Sequence, residues 1–299
     1  MIGIRRGGIG LAVCAIGLAL LPAWSRAQQA HSPTTTVKIG LVDSLFRDVP
    51  ASLIKYVAPP FEKLMLEQTG MVAEVVTAGD AYDVGKLLSD GKVQFAVLHG
   101  FEFAWARQKY PDLKPLVIAV NRHRSLKAHL VMRSDNETTD LSGLKGKSVS
   151  LPKRSRAHSI VFWERELTKA GISSQSFFGK VINHASMEEA MDDVVRGTVD
   201  AVLVDGLALE NYEQVKPGCF IRLKNLKESV HFPPGVVAIR EGAVDAATLA
   251  RFRQGVNTAH ETARGRELMA MWKLTAFENV PADFERELSE IMSIYPPPR

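Results

Sequence analysis

Residues 141–167 contain the pattern that decides the fold of this chain, LSGLKGKSVSLPKRSRAHSIVFWEREL. Residues 147–151 are a short β-prone run, residues 152–157 form a basic loop, and residues 158–170 carry apolar residues at helical spacing. A strand, a tight loop and a helix in this order place free backbone N–H groups at the beginning of the helix. Because that end also carries partial positive charge, the segment predicts an anion site at the start of the helix.

The side chains of this loop favour the same interpretation. Arg156 can donate two parallel N–H bonds to an oxyanion, and serine hydroxyls beside it can donate others. Lys153 is expected on the solvent side of the turn. A solvated surface loop is the competing interpretation of such a basic stretch, and the loop alone leaves both open. The candidate ligand-binding residues here are Ser155, Arg156, Ala157, His158 and Ser159.

The segments on either side alternate strands with helices. Residues 37–42, 93–98 and 199–204 are apolar runs typical of buried parallel strands, and helical patterns separate them. This alternation predicts an α/β fold of doubly wound sheets with right-handed crossovers. After a strand at residues 235–240, the pattern predicts only helices, at residues 245–264, 264–273 and 281–294.

A sequence pattern that occurs twice indicates two lobes of similar design. Residues 87–98 and 194–204 each read as a helix end, a glycine, a valine, a polar residue and a buried strand. The chain is expected to leave lobe 1 near Lys127 and to return near His231. Loops at the strand ends of both lobes then face one cleft, where α/β sheets bind ligands. The predicted division is residues 37–127 and 232–299 for lobe 1 and residues 128–231 for lobe 2.

Residues 1–27 have the pattern of a cleaved secretory signal peptide. Arg5 and Arg6 precede an apolar run at residues 9–21, and residues 25–27 (SRA) form a small-x-small cleavage site. The apolar run is too short for a comfortable transmembrane span. The sequence therefore predicts a soluble exported protein.

Charge and cysteine content exclude several classes of protein. Removal of residues 1–27 takes away three arginines and no acidic residue, so the formal net charge falls from +4 to +1. Basicity of the whole chain is therefore no argument for nucleic-acid binding. Only Cys219 remains, which excludes an intramolecular disulfide and a cysteine metal cluster. The sequence has no Walker loop, G-x-S-x-G or H-E-x-x-H motif, so no catalytic residue, metal or cofactor is expected.

Over about residues 37–295 the sequence resembles the periplasmic solute-binding proteins of phosphonate, phosphite and phosphate ABC transport systems. The resemblance implies a location in the periplasm and the type II periplasmic-binding-protein fold, in which two lobes, each a doubly wound sheet flanked by helices, are joined by two hinge strands. The stretches that carry it are LKGKSVSLPKRSRAHS (144–159), GISSQSFFGKVINHASMEEAMDDVVRGTVDAVLVDGLALE (171–210) and GDAYDVGKLLSDGKVQFAVLHGFEFAWAR (79–107).

The resemblance also implies site residues. In the family a hydroxyl-rich loop grips the phosphorus oxyanion, and residues 155–157 occupy that position with only the first hydroxyl kept. His184 matches a ligand histidine, and Asp205 matches an acid that meets an ammonium group or a protonated oxygen. Structural roles compete with these, because His184 can be a satisfied surface residue and Asp205 an N-cap. Candidates for the cleft walls, with core packing as the rival role, are Phe46, Phe101 and Tyr82.

The expected function is that of the substrate-binding component of an ABC importer. It would capture a small oxyanion, phosphonate- or phosphate-like, by hinge closure and deliver it to a permease in the inner membrane. A guanidinium also suits carboxylate, sulfate and sulfonate, so the residues do not name the ligand. One alternative is a periplasmic sensing subunit for a membrane kinase, and another is an enzyme on the same scaffold. The protein is expected to be a monomer without a nucleic-acid partner.

Overall fold

The structure is a computed structural model that describes residues 35–47, 51–153 and 155–298, with backbone alone at residues 51–55, 57, 174 and 175. The predicted signal peptide lies outside the described residues. The strands are β1 (Thr36–Leu41), β2 (Val72–Thr77), β3 (Phe95–Leu98), β4 (Leu113–Val120), β5 (Ala128–Arg133), β6 (Ser148–Ser150), β7 (Lys180–Ile182), β8 (Ala201–Asp205), β9 (Leu223–Glu228), β10 (Gly235–Arg240) and β11 (Ala276–Asn279). The α-helices are α1 (Ala51–Thr69), α2 (Ala81–Ser89), α3 (Gly100–Lys109), α4 (Ala157–Lys169), α5 (Ser174–Phe177), α6 (Met187–Arg196), α7 (Gly206–Val215), α8 (Pro217–Phe220), α9 (Ala246–Thr258), α10 (Ala263–Met271) and α11 (Phe284–Ile294).

The strands form two mixed sheets with helices around them. Within the described residues the first sheet has six strands in the order β11-β4-β10-β3-β1-β2, and the second has five in the order β7-β6-β8-β5-β9. In the first sheet β1 runs parallel to β2 and β3, whereas β10 runs antiparallel between β3 and β4. In the second sheet β6 runs parallel to β7 and β8, and β5 runs antiparallel to β8 and β9. The predicted α/β fold class is confirmed.

The C-terminal part differs from the purely helical prediction. Strand β11 pairs antiparallel with β4, and a four-residue strand has too little internal pattern to be recognised in a sequence. The predicted helix 245–264 stops at Thr258. A new helix begins after Thr262, whose side chain accepts a hydrogen bond from the N–H of Gly265. A β-carbon at Gly265 would lie 1.9 Å from the carbonyl oxygen of Ala259, so the turn between the helices requires glycine there.

Two connections carry the chain between the sheets, from β4 to β5 and from β9 to β10. They meet at Leu126 and Phe232, whose N–H groups donate to each other's carbonyl oxygens at 2.9 and 2.8 Å. The buried ring of Phe232 stacks on Tyr295, with centroids 4.6 Å apart. All described residues belong to one compact unit. The division into lobes at residues 127/128 and 231/232 therefore stays a prediction.

One hydrophobic core continues from the first sheet to the second. It includes Phe103 of α3, Leu130 of β5, Phe162 of α4 and Phe284 of α11, all buried. Each large apolar side chain contributes about 1.5–3 kcal/mol when it is fully buried. This shared core joins the two sheets. No helix within the described residues has the length and apolar character needed to cross a membrane.

Candidate functional site

Loops at the strand ends of both sheets enclose three adjoining cavities, of about 360, 420 and 140 Å³. Asn121, which follows β4, and Arg156, which precedes α4, line all three. We refer to these cavities together as the cleft. A cavity volume of 300–1,000 Å³ is usual for small-ligand sites. The two larger cavities therefore have the size of a small-molecule pocket.

The start of α4 brings the predicted anion loop to the cleft. Arg156 is the N-cap residue, with an extended backbone (φ −64°, ψ 149°), and its side chain makes no capping hydrogen bond. Its guanidinium is therefore directed to other partners. The hydroxyl of Ser155 donates to the carbonyl oxygen of Pro152 at 2.7 Å, which closes the turn. Arg156 and His158 line the cleft, whereas Ser155, Ala157 and Ser159 are buried in the packing around the start of the helix.

Arg156 faces a carboxylate on the neighbouring strand. Its Nε lies 3.4 Å from Oδ2 of Asp205, and the two side chains are 25% and 9% exposed. Asp205 ends β8 and caps α7, because its Oδ1 accepts a hydrogen bond from the N–H of Ala208 at 3.0 Å. The carboxylate thus has both the predicted capping role and a place in the cleft.

His158 is a buried, neutral member of the site. Its Nε2 donates to the carbonyl oxygen of Lys127 at 3.2 Å, so the proton is on Nε2. Burial lowers the pKa of His158 to about 4, against the opposing effect of Asp205, and nearby Arg156 lowers it further. The imidazole is therefore uncharged at neutral pH.

His184 lies beside the cleft and does not line it. Its Nδ1 is 2.7 Å from the hydroxyl of Ser150, and its Nε2 is 2.7 Å from Oδ2 of Asp193. Hydrogen bonds from Arg196 and from His184 lower the pKa of Asp193. Both ring nitrogens of His184 are thus occupied by a partly buried network between β6 and α6, although the neighbouring residue Ala185 lines the cleft.

The aromatic candidates also lie away from the cleft. Phe46 packs edge-on against Trp272, with centroids 5.9 Å apart, and is 4% exposed. Phe101 packs against Phe232 and is 2% exposed. Without a hydroxyl to solvate, full burial is the stable arrangement for both phenylalanines. The ring of Tyr82 lies at the α2–α3 surface, 5.5 Å from the ammonium group of Lys109.

Several residues that line the cleft were not singled out in the sequence. Lys153 is exposed, as expected for the solvent side of the turn, and it also lines the 420 Å³ cavity; its N–H donates to the carbonyl oxygen of His184. Lys273 reaches the same cavity from the connection between α10 and β11. A search for polar residues after each predicted strand would have found Asn121. The same search could not have found Lys273, because it lies just before β11, a strand that was not predicted from the sequence. The 360 Å³ cavity is also lined by His123, His129, His231, Glu210 and Glu213.

Within the described residues no group of three or more His, Cys, Asp and Glu side chains is arranged to hold a metal ion. The cleft is instead a polar site in which an arginine, an aspartate and a neutral histidine meet at the beginnings of two helices. Of these groups Arg156 is the donor that can hold an oxyanion by charge-assisted hydrogen bonds, whereas the Asp205 carboxylate can only accept a hydrogen bond and the N–H of His158 is already donated to Lys127.

Known proteins share this architecture. XAC2383 from Xanthomonas citri bound to ATP superposes with a TM-score of 0.57 at 18% identity, covering 88% of this chain and 97% of that one. PhnD1 from Prochlorococcus marinus in complex with methylphosphonate gives 0.55 at 14% identity, with coverage of 87% and 97%. The binding component of an ABC phosphonate transporter from Pseudomonas aeruginosa gives 0.54 at 16% identity, with coverage of 86% and 85%.

These similarities show the fold, and the family model goes further. A comparison with curated protein sequences finds no match. The model described as "ABC transporter, phosphonate, periplasmic substrate-binding protein" matches residues 52–283, most of the chain. Proteins of this family act in the periplasm with an ABC permease. The chain therefore has the type II periplasmic-binding-protein fold and belongs to the family of periplasmic substrate-binding proteins of ABC phosphonate transporters.

Proposed function

We propose that this protein captures a phosphonate- or phosphate-like oxyanion in the cleft and delivers it to an inner-membrane permease. The observation that carries the proposal is the position of Arg156, at the N-cap of α4 and facing all three cavities. A guanidinium beside the first amides of a helix combines a full charge, a rigid fork of donors and the positive end of the helix dipole. Phosphorus oxyanions are well suited to such a site.

The proposed contacts differ in kind along the loop. Arg156 would donate to the oxyanion, the backbone around Ser155 and Ala157 would shape the turn, and His158 would present a neutral imidazole. The buried hydroxyl of Ser159 has no hydrogen-bond partner among the described residues, so it is a further polar group at the start of α4. Asp205 would accept a hydrogen bond from a protonated ligand oxygen. His184, by contrast, would support the loop through Ser150 and Asp193.

Hinge closure is the proposed mechanism. Residues 37–127 with 232–299 and residues 128–231 would act as two lobes, with the two connections that pair at Leu126 and Phe232 as the pivot. Because the cleft is lined from both sheets, a ligand that contacts both would stabilise the closed form. The mature protein would begin near Gln28 after signal cleavage and work as a periplasmic monomer. Membership in a transport family supports binding without chemical conversion.

Titration calorimetry of protein that begins at Gln28 tests the proposal. The probes are methylphosphonate and inorganic phosphate, with acetate as a carboxylate comparison. We expect saturable one-to-one binding of a phosphorus oxyanion and a more compact scattering profile in its presence. Phosphorus NMR after long incubation should show the probe unchanged. Preference for acetate, an unaltered scattering profile or steady product formation would contradict the ligand class, the hinge mechanism and the non-enzymatic role respectively.

A further inference from the structure

One side of the cleft carries positive charge that the protein does not neutralise. The 420 Å³ cavity is lined by Lys153, Arg156 and Lys273, and by a single carboxylate, Asp205. That carboxylate pairs with Arg156. Neither lysine has an ion-pair partner within the described residues. The cavity therefore presents two ammonium groups without a protein counter-charge at its solvent-exposed edge, in addition to the Arg156–Asp205 pair.

Helix dipoles add to this positive potential. Arg156, Ser186 and Asp205 are the N-cap residues of α4, α6 and α7, and all three line the 420 Å³ cavity. Each of these helices has ten or more residues. Three helix N-termini at one cavity favour negative charge there, since each contributes a partial positive charge within its first turn.

The neighbouring 360 Å³ cavity has fewer unpaired carboxylates than the 420 Å³ cavity has unpaired lysines. Its carboxylates are Asp205, Glu210 and Glu213. Glu210 lies 2.8 Å from the ring of His123 and 3.9 Å from the guanidinium of Arg122. Within the described residues, Glu213 alone of the three carboxylates has no ion-pair partner, and it is exposed. A ligand ammonium would find little to neutralise it, whereas a ligand anion would find two lysines.

We infer that the ligand carries two separate anionic groups, such as a phosphonate with a carboxylate or a diphosphate. This inference rests on the proposed function. The first group would be held by Arg156 and the start of α4, and the second between Lys153 and Lys273. Lys153 follows β6 of the second sheet and Lys273 precedes β11 of the first, so the second group joins the two sheets. The lysine pair thus selects the ligand and favours closure.

At Lys273 the positive charge can be removed without disturbing the backbone. Its backbone is left-handed (φ 56°), and its N–H and that of Leu274 donate to the carbonyl oxygens of Ala270 and Met269 at 2.9 and 3.0 Å. Glycine is the preferred residue at this position after a helix. Lys273→Gly therefore removes the ammonium without a backbone penalty, and its melting temperature should equal or exceed that of the wild type. Lys153→Ala removes the other ammonium. Lys145→Ala is the matched control, because Lys145 is exposed and lies before β6, at the opposite end of the strand from Lys153.

The test is calorimetric titration with methylphosphonate, phosphonoacetate and 2-aminoethylphosphonate, which carry one anionic group, two, and one with an ammonium. We expect phosphonoacetate to bind about tenfold or more tightly than methylphosphonate. Lys153→Ala and Lys273→Gly should each remove most of this gain and change methylphosphonate affinity by less than about threefold. Lys145→Ala should leave the gain of phosphonoacetate over methylphosphonate unchanged. In the wild type, the gain should shrink as sodium chloride is raised, because exposed charges are screened.

The outcomes separate the inference from the proposed function. Equal affinity for methylphosphonate and phosphonoacetate overturns the inference and leaves oxyanion capture standing. A gain that survives in both lysine variants, or tightest binding of 2-aminoethylphosphonate, does the same. Binding of none of the three probes overturns the proposed function and the inference with it. Because the salt series uses the wild-type protein, it decides the matter even if a lysine variant folds poorly.

Discussion

The Nε of Arg156 lies 3.4 Å from Oδ2 of Asp205 and thereby joins the N-cap of α4 to the N-cap of α7. The pair links two neighbouring strand ends, because α4 follows β6 and α7 follows β8, and these strands are adjacent in the second sheet. The pair would also affect binding at the proposed anion site. An oxyanion that binds the guanidinium must share it with the carboxylate or displace the carboxylate, so the pair limits affinity and favours ligands with more than one contact.

Substitution of Arg156 tests the central contact. Arg156→Ala should weaken methylphosphonate binding about tenfold to a hundredfold, since hydrogen bonds to charged groups contribute roughly 1.5–3 kcal/mol and 1.4 kcal/mol is tenfold. Arg156→Lys should recover only part of the affinity because an ammonium cannot copy the planar fork. Calorimetry measures both, with Arg253→Ala on the exposed face of α9 as the control. Unchanged affinity in Arg156→Ala would remove this residue from the site.

Asp205→Asn separates charge from capping. Asparagine caps helices as well as aspartate does, so stability should change little, whereas Asp205→Ala should lose about 0.5–2 kcal/mol. At pH 9 the ligand has lost its second proton, because the second pKa of a phosphate group is about 6. Asp205→Asn should then bind methylphosphonate several-fold more tightly, since Arg156 is released and a repulsive carboxylate is gone. Weaker binding at pH 9 would show that Asp205 supports the anion.

The neutral state of His158 makes stability depend on pH. Burial lowers its folded-state pKa to about 4, below the unfolded value of about 6.5. Well above pH 6.5 neither state binds the proton. As the pH falls, the unfolded state binds it first, so stability is lost between about pH 6.5 and 4, by about 3 kcal/mol in total.

His158→Gln should remove this acid sensitivity. Glutamine retains an N–H donor for the carbonyl oxygen of Lys127 but does not titrate. Urea unfolding at pH 7 and pH 4.5 should show a smaller loss of unfolding free energy in the variant, by about 2–3 kcal/mol. His260→Gln, at an exposed histidine, controls for the change of residue type. An equal loss in wild type and His158→Gln would mean that His158 is protonated in the folded protein.

His184 should affect stability and not affinity. Both of its ring nitrogens have protein partners, and its removal leaves the buried hydroxyl of Ser150 without its partner, whereas the partly buried Asp193 keeps Arg196. An unsatisfied buried polar group costs about 1–3 kcal/mol. His184→Ala should therefore lower the free energy of unfolding by that order and leave the affinity for methylphosphonate within about twofold. A stable variant with much weaker binding would place the imidazole in contact with the ligand.

Local patterns in the sequence determined most of the second sheet's anion loop. The basic loop before residues 158–170 was predicted to open a helix, and the structure begins α4 at Ala157 with Arg156 as its N-cap. Helix periodicity and capping are properties of neighbouring residues, so one short segment contains them. Edge strand β9 and strand β11 were missed for the opposite reason. Each is half buried, β11 has only four residues, and both are strands because a partner strand supplies their hydrogen bonds.

The tertiary structure alone decided which side chains meet. Arg156 and Asp205 were both candidates from the sequence, but the distance between them follows from the adjacency of β6 and β8. Lys153 and Lys273 share a cavity only because the two sheets are packed on one core. His184 had the residue type of a ligand contact, but the hydrogen bonds of its ring to Ser150 and Asp193 could not be read from the sequence. Residue type is local, whereas charge pairing and burial depend on neighbours that are distant in the chain and brought close by strand pairing and core packing.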